Sequence, residues 1–487
     1  MAEIKHGIGI SETETSLQQM ATVGADIPVV FGVAPVHLAT DPAAVSTPVY
    51  CNDKGDFSSQ LGYCSDFANY DLCEAAYAFF DLYNVAPVIF INVLDITKHK
   101  KAGTQTSLTV TNKVATITEP AIVSSLTVTN KNSSQKLTLD TDYTALHDSD
   151  GNLVITLLDT TATSGATGLT VAYEQVAPEM VSKTDLIGGE DSTTGKKLGI
   201  EAIESVFPYT RTVPGMLLAP KFSTDNEVLM IMCAKAENIN TIFNAVVYGD
   251  LPADSTLKRY SDVPNYKNQK NMVDKRLFTH WPKGKLGDKV LRLSTLNAAL
   301  TYYVDSSEGG DVPYISPSNH VLKIDGTCLD DGADVMLSLK DANFLNGDGI
   351  ATAINFVGGW RSWGNRMACY PANLDPKDNF NPLRRMANWI GATIALSFFN
   401  KVDGPIRTRW CEQITDSANV WLAGLTAAEK LLGGRVVFNR AENPQTSLTN
   451  GHVKFHVYLG YEVPAEYIEF VLEYDLSYLE TLFANAA

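Results

Sequence analysis

The 487-residue sequence holds no apolar run approaching the roughly 20 residues that a bilayer-crossing helix needs. Its opening stretch, MAEIKHGIGISETETS, has no apolar core of the kind a secretory signal carries. Direct membrane insertion is therefore not expected. Basic charge is also scarce: 38 Lys and Arg face 55 Asp and Glu, for a net charge of −17. Nucleic-acid binders present the opposite field, so no nucleic-acid partner is expected. Cysteine is sparse. Cys51, Cys64, Cys73, Cys233, Cys328, Cys369 and Cys411 are odd in number and form no C-x-x-C. They read as reduced structural thiols, which suits synthesis in a cytoplasm. The eight histidines include no H-E-x-x-H. His452 and His456 would lie roughly 13 Å apart along a strand, too far to share a metal unaided.

Phosphate-binding and acyl-transfer motifs are missing as well. The glycine-rich LNGDGIATAINFVGGWRSWGNR (345–366) carries a G-x-G at Gly347 and Gly349, but Thr352 stands where a dinucleotide fingerprint needs its third glycine. The preceding SLKDANFLN is not a buried strand, and Asp348 would repel a pyrophosphate. GGEDSTTGKK (188–197) has P-loop flavour with the wrong spacing, and Lys197 replaces the hydroxyl that would hold Mg²⁺. Glu190 and Asp191 add the wrong charge, so a solvated loop is expected. There is no G-x-S-x-G elbow. No catalytic residue, cofactor or metal is expected, and the chain reads as a non-enzyme. A hydrolase-like α/β enzyme with an accessory β domain is the alternative reading, and an exported adhesin a third. The enzyme lacks a recognisable site and the adhesin lacks a signal.

What is present is patterned. The length suggests about three domains at roughly 150 residues each. IPVVFGVAPV (27–36) and APVIFINVL (86–94) are near-continuous apolar runs, the mark of strands buried on both faces. The helical stretch 66–84 between them completes a βαβ unit. Residues 101–176 contain no Trp, Cys or Met, are dense in Thr and repeat SLTVTNK at 107–113 and 125–131. That is half-buried strand chemistry and reads as an inserted all-β domain. The α/β pattern returns after LIGGED: PGMLLAP and TIFNAVVYGDLP read as strands, with a helix between them capped by Thr224 or Asp225. RRMANWIGATIALSFFN puts Met386, Ile390, Ile394 and Phe398 on one helix face. A second amphipathic helix follows and is expected to close at Gly433. HVKFHVYLGYEV and YIEFVLEYDL then alternate with period two, predicting strands over 453–463 and 467–476.

The C-terminal third closely resembles the tail sheath proteins of contractile bacteriophage tails and tail-like particles. The matching elements are Leu345, Asn346, Gly349 and Ile350; Trp363, Gly364 and Arg366; Arg384 and Arg385; Asn443, Pro444 and Gly451; and Pro464, Ala465, Glu466, Tyr467 and Ile468. Gly188–Glu190 fits the start of that family's middle domain. The resemblance covers roughly 27–98 and 180–487 and is most specific at 345–470. One departure is Asn365–Arg366–Met367, where many relatives carry Arg-Thr after the glycine.

The resemblance implies an α/β multidomain fold. Its parts would be an N-terminal extended arm (1–26), an α/β sheath domain (27–100 and 177–345), an inserted β-sandwich-like domain (101–176), an α+β C-terminal sheath core (346–476) and a C-terminal arm (477–487). The α/β domain would be subtilisin-like yet without a catalytic triad, since H-G-T and G-T-S-M elements are missing. Function by resemblance is structural: stacked hexameric rings around a tail tube, joined by strand exchange between terminal arms. The extended polymer would hold stored energy and contract to drive the tube through a cell envelope. Implied partners are neighbouring subunits, the tube protein, and baseplate and tail terminator proteins, in a virion or tail-like particle assembled in a bacterial host's cytoplasm. Infectious phage, tail-like bacteriocin and other injection machines stay open. Arg407, Arg409, Lys430 and Arg435, flanking the helix at 415–432, are the expected tube-facing cations, with solvated helix-end charge as the plainer reading. In the glycine-rich stretch, Gly347, Gly349, Gly358, Gly359 and Gly364 are expected to serve turns and close packing. Trp360 and Trp363 are expected as core or interface anchors, and Arg366 as a buried, hydrogen-bonded structural ion.

Overall fold

The computed structural model describes residues 18–24, 26–148 and 150–478. Most of both expected arms, 1–17 and 479–487, therefore lies outside the described residues. The chain first lays down β1 (Ile27–Gly32), buried at every position, then β2 (Pro48–Cys51), α1 (Asp71–Ala76) and β3 (Val88–Asn92). After the insertion come β4 (Pro214–Leu218), α2 (Asn226–Ala236), β5 (Val246–Asp250), β6 (Leu277–His280) and α3 (Leu293–Ser307). Next are α4 (Leu339–Asn346), β7 (Ile350–Asn355) and β8 (Trp360–Trp363). These strands form one sheet in the order β2-β3-β1-β4-β5-β6-β7-β8. All neighbours are parallel except the two edge pairs, β2 with β3 and β7 with β8. Predominantly apolar strands such as VIFIN and PGMLL suit this position, where every residue is buried.

Two boundaries differ from the sequence reading. The helix expected over 66–84 begins only at Asp71 and continues as a wider π-type coil, Tyr77–Leu82. Asp66 is the reason: its carboxylate accepts the Asn69 amide and side chain, which turns the chain before the helix can start. The glycine-rich stretch is also placed differently. Residues 350–363 supply β7 and β8 to the central sheet, on the body side of the expected boundary at 345/346.

The insertion leaves the body through a two-stranded neck, Lys100–Ala102 antiparallel to Glu174–Val176. Beyond it lie a three-stranded sheet (Val114–Ile117, Leu153–Leu157, Tyr143–His147) and a four-stranded one (Ser107–Thr109, Gly168–Ala172, Thr127–Asn130, Lys136–Leu137). They enclose a separate core built on Ile117, Val128, Leu153, Ile155 and Leu169. The repeated SLTVTNK has a structural meaning: its two copies lie on either side of Gly168–Ala172 and pair with it antiparallel.

The C-terminal unit contains α5 (Asn381–Phe398), α6 (Thr408–Ala427), β9 (Gly433–Val437) and β10 (His456–Gly460). Met386 and Ile390 of α5 pack with Ala418 and Leu422 of α6. α6 stops at Ala427, not at Gly433, because Glu429 takes the left-handed backbone position (φ 55°) and Gly433 opens β9. The described part of the N-terminal segment is docked on these helices. Trp389 Nε1 donates to Val23 O at 3.0 Å, and the amides of Gln18 and Ala21 donate to Ser417 Oγ (2.7 Å) and Ser397 Oγ (2.8 Å).

Arg385 ties these parts together. It is fully buried, and its Nη1 donates to Asp26 Oδ2 at 3.0 Å and to Asp305 Oδ2. Nη2 donates to Ile315 O and Nε to Asn381 Oδ1, both at 2.9 Å. Burial and the neighbouring Asp26 carboxylate push the Asp305 carboxyl above the usual range, while Arg385 opposes the shift. Removing one member of such a group strands buried charge, at a cost of about 3–5 kcal/mol. Arg385→Leu is expected to lose stability of that order in equilibrium urea unfolding. Asp305→Asn keeps an acceptor for the guanidinium and is expected to lose less.

Candidate assembly interface

Two places in the body resemble catalytic sites and neither has the geometry. Asp250, His280 and Ser294 sit together at the carboxyl ends of β5 and β6. Asp250 accepts the Ser294 amide at 2.9 Å and its hydroxyl at 2.6 Å. The serine thus donates to the carboxylate and not to the imidazole. His280 Nδ1 lies 3.0 Å from Gly249 O, and Nε2 faces no partner. All three side chains are buried, so no substrate reaches them. A nucleophile relay needs the opposite order, hydroxyl to imidazole to carboxylate, at an open face. The second place is the crevice where the strand order reverses, between β1 and β4, the usual ligand site of open parallel sheets. Here Asp71 fills it, accepting the amides of Val33 (2.8 Å) and Lys221 (2.9 Å). The loop at 188–197 closes as a short hairpin, Gly189–Glu190 with Lys197–Leu198, and Lys197 pairs with Glu204.

Burial holds His280 down to about 4. Its proton is taken up on unfolding but resisted in the fold, so stability falls as pH drops from 6.5 toward about 4. In His280→Phe that fall is expected to be shallower by about 1.4 kcal/mol per pH unit, one proton's worth, in urea titrations across the window.

Several motif residues of the C-terminal third, Asn346, Trp363, Gly364, Arg366, Pro464 and Glu466, line one cleft of about 490 Å³. α4 starts on a capping box, Ser338 with Asp341, and buries Leu345. Gly349 (φ 67°) turns the chain into β7, where a Cβ would strike Met367 O at 2.2 Å. Gly364 (φ 137°) leaves β8 so close to Ala351 and Asn346 that a Cβ would sit 2.9 Å from Ala351 Cα. Gly347, by contrast, has ordinary helical dihedrals. The Asn346 amide donates to Ile350 O (2.8 Å) and Trp363 O (3.1 Å), joining the end of α4 to both strands.

That frame presents Arg366. Its guanidinium stacks over Phe380 (3.8 Å) and Tyr370 (4.5 Å), and Nη1 donates to Asn379 Oδ1 at 2.8 Å. Nε and Nη2 form a fork on the Glu466 carboxylate, 3.0 and 2.5 Å. The structure therefore brings together two motifs 100 residues apart, and Arg366 fixes the point where the C-terminal segment leaves the body. Arg384 is a separate ion, bonded to Asp378 at 2.9 Å. Asn443 is buried and brackets the connector between β9 and β10: its side chain donates to Asn439 O and Lys454 O and accepts the Lys454 amide. Pro444 caps the short helix Gln445–Thr449.

The terminal strands depart from the sequence reading. Only His456–Gly460 of the expected 453–463 is a strand, and it pairs with β9, not with 467–476. β9 is guarded on its outer edge, since Asn419 of α6 accepts the Val436 amide (2.6 Å) and donates to its carbonyl (3.0 Å). β10 pairs with β9 alone, so its other edge carries no strand among the described residues. Residues 467–476 have no regular structure. Their alternation calls for an edge to join, and among the described residues they join none. Tyr467, Phe470 and Leu472 are 80%, 83% and 94% exposed. An apolar groove of about 680 Å³, lined by Phe398, Ile406, Trp410, Val453 and Phe455, runs beside the hairpin.

The four cations proposed from sequence do not share a patch. Arg407 and Arg409 are exposed at the N-terminal end of α6. Lys430 turns onto the body and donates to Gly309 O at 2.8 Å, and Arg435 lies over the Tyr458 ring at 4.6 Å. The 20 residues of α6, roughly 30 Å of helix, separate the two pairs.

No family model matches the chain. It is 26% identical over 492 residues, 99% of either chain, to the tail sheath protein of Burkholderia phage BcepMu. Over 148 residues it is 30% identical to the major tail sheath protein of Serratia phage KSP20, covering 30% of this chain and 36% of that one. The chain is thus similar over its whole length to contractile tail sheath proteins. Among solved structures, the fold is shared with a chain of the PVC sheath complex in its contracted state, at TM-score 0.58 and 14% identity, covering 98% and 99% of the two chains. A chain of the anti-feeding prophage baseplate matches at TM-score 0.58 and 12% identity, covering 96% and 99%.

Sequence reading missed Glu466's partner, Asn419's guard and the partners of Arg385, because each contact joins separate elements. Asn443 and Arg366 were marked only by motif spacing. Weakening the clip with Glu466→Gln or Arg366→Ala is expected to speed protease cleavage within 461–478 at least several-fold, with the core fragment unchanged by mass spectrometry.

Proposed function

We propose that this sheath protein polymerises by lending its C-terminal segment, 467–476, as a strand to the free edge of β10 in a neighbouring subunit. The observation that carries the reading is the pairing of opposites in one chain: an open strand edge beside an apolar groove, and an alternating apolar segment with nothing to cover it. Strand addition satisfies both, and a two-stranded ribbon is marginal in water without it. The N-terminal segment, anchored from Gln18 onward on α5 and α6, is the second arm in this reading.

The subunits stack as hexameric rings around a tail tube, and contraction slides and rotates the bodies while the exchanged strands act as hinges. The body is a subtilisin-like domain without enzymatic activity, its crevice filled by Asp71 and its serine bonded to a carboxylate. Arg407 and Arg409 meet an acidic tube surface. They sit at the positive end of the α6 dipole, where cations gain from an outside anion. Baseplate and terminator proteins cap the polymer, which belongs to a virion or tail-like particle assembled in the bacterial cytoplasm.

Deleting 477–487 or 1–17 tests the arms, and deleting 467–487 removes the proposed strand itself. The truncated chains are expected to remain folded monomers by circular dichroism and to form no tubular polymers by electron microscopy, where the full chain forms them. Normal tubes from the 467–487 deletion would rule out strand donation by this segment.

A further inference from the structure

The inserted domain is fastened at a second place besides its neck. On the body's side the contact is a single turn, Val36–Leu38, soon after β1. On the insertion's side it is the hairpin that joins Tyr143–His147 to Leu153–Leu157. Asp148 closes that hairpin, its carboxylate accepting the amides of Asp150 and Asn152, both at 2.9 Å. The rings of His37 and His147 meet edge to face across the boundary, with centroids 5.5 Å apart and planes at 84°. Beside them Gly151 comes so near Leu38 that a Cβ would stand 3.6 Å from Leu38 Cδ1. Tyr70 completes the group, its ring 6.1 Å from that of His37.

This contact has no place for a positive charge. His37 Nδ1 and the Tyr70 hydroxyl are buried without a hydrogen-bond partner. His147 Nε2 lies 3.1 Å from Ala121 O, a carbonyl that takes the single N–H of a neutral ring. Neither imidazole pairs with a carboxylate among the described residues. The acidic groups around the boundary are engaged elsewhere: Asp66 with Asn69 (2.7 Å), Asp148 with its own turn, and Glu179 with Lys101 (2.5 Å). Asp150 is exposed, and the remaining titratable group on the cleft wall is the Cys64 thiol. Burial and the facing His147 hold His37 down to about 3, and burial holds His147 below the usual range.

We propose that the His37–His147 contact is an acid-sensitive latch, which holds the inserted domain against the body at neutral pH and lets it swing on its neck when both rings are protonated. Two imidazolium rings in contact repel, and no carboxylate at the boundary offsets the repulsion. Opening brings water to both rings and takes up two protons. The docked rings resist a proton that free rings accept near 6.5, so docking is at full strength above that value and weakens as pH falls below it. With two protons bound on opening, the ratio of open to closed chains rises by up to about 100-fold per pH unit. The neck survives the change, because its two strands pair through backbone groups that do not titrate.

Hydroxyl-radical footprinting of the full-length protein, read by mass spectrometry at about pH 7.5 and about pH 5, tests the latch. Leu38 and Tyr70 report on the contact, since neither side chain changes charge between those values. Their oxidation is expected to rise at least several-fold at the lower pH, while Phe278 in the body's core stays protected. In His147→Asn the rise is expected to follow one proton in place of two, and in the double variant His37→Asn with His147→Asn it is expected to vanish. The wild-type footprint needs no variant and decides the matter by itself. Equal protection of Leu38 and Tyr70 at both values overturns the proposal. A rise matched by Phe278 is unfolding of the body and overturns it too, as does an undiminished rise in a double variant that is folded by circular dichroism.

Discussion

A guanidinium taken out of water must have its hydrogen bonds replaced in full, or the fold pays several kcal/mol. Arg385 meets that demand with Asp26, Asp305, Asn381 and the Ile315 carbonyl. Those partners belong to the segment entering β1, the end of α3, the loop beyond it and α5 itself. The position of the assembling unit on the body is thus set by the one geometry that satisfies a buried ion. Apolar packing between α5 and α6 alone would accept small slips, whereas a fork of fixed donors does not. Every surface the C-terminal unit offers outward, from the open edge of β10 to the cations at the start of α6, inherits its orientation from this group.

The same logic of fixed exits applies at Arg366. Stacked between two rings and forked onto Glu466, it sets where the last segment departs. Beyond that point the chain is strongly apolar yet uncovered. The net charge of −17 opposes indiscriminate association of chains that carry such a segment. Asn419 adds direction: by occupying the backbone of Val436 it closes one edge of the hairpin and leaves the other.

Much of the body was legible because its strands are covered on both faces, so IPVVFG and VIFIN announce themselves without alternation. The insertion was legible through composition and through the doubled SLTVTNK, though not the fact that both copies flank a single strand. What stayed hidden were contacts between distant positions. Arg385 was visible as half of an R-R pair, but its acidic partners lie 359 and 80 residues away in sequence. The alternation of 467–476 was read as a strand and is none in the fold, because a pattern records what a segment can pair with and not whether it finds an edge. The Ser294, His280 and Asp250 cluster shows the converse: the right residue types meet in space, and the direction of one hydroxyl proton removes the chemistry.

The neck of the insertion has a consequence of another kind. Lys100–Ala102 and Glu174–Val176 run side by side, so the ends left by excising everything between them would stand one strand spacing apart, about 5 Å. A short turn closes that gap. With a core of its own, the insertion is a passenger on the sheath body, and the neck is a socket. A foreign domain with adjacent termini would fit the same socket without disturbing the body's sheet.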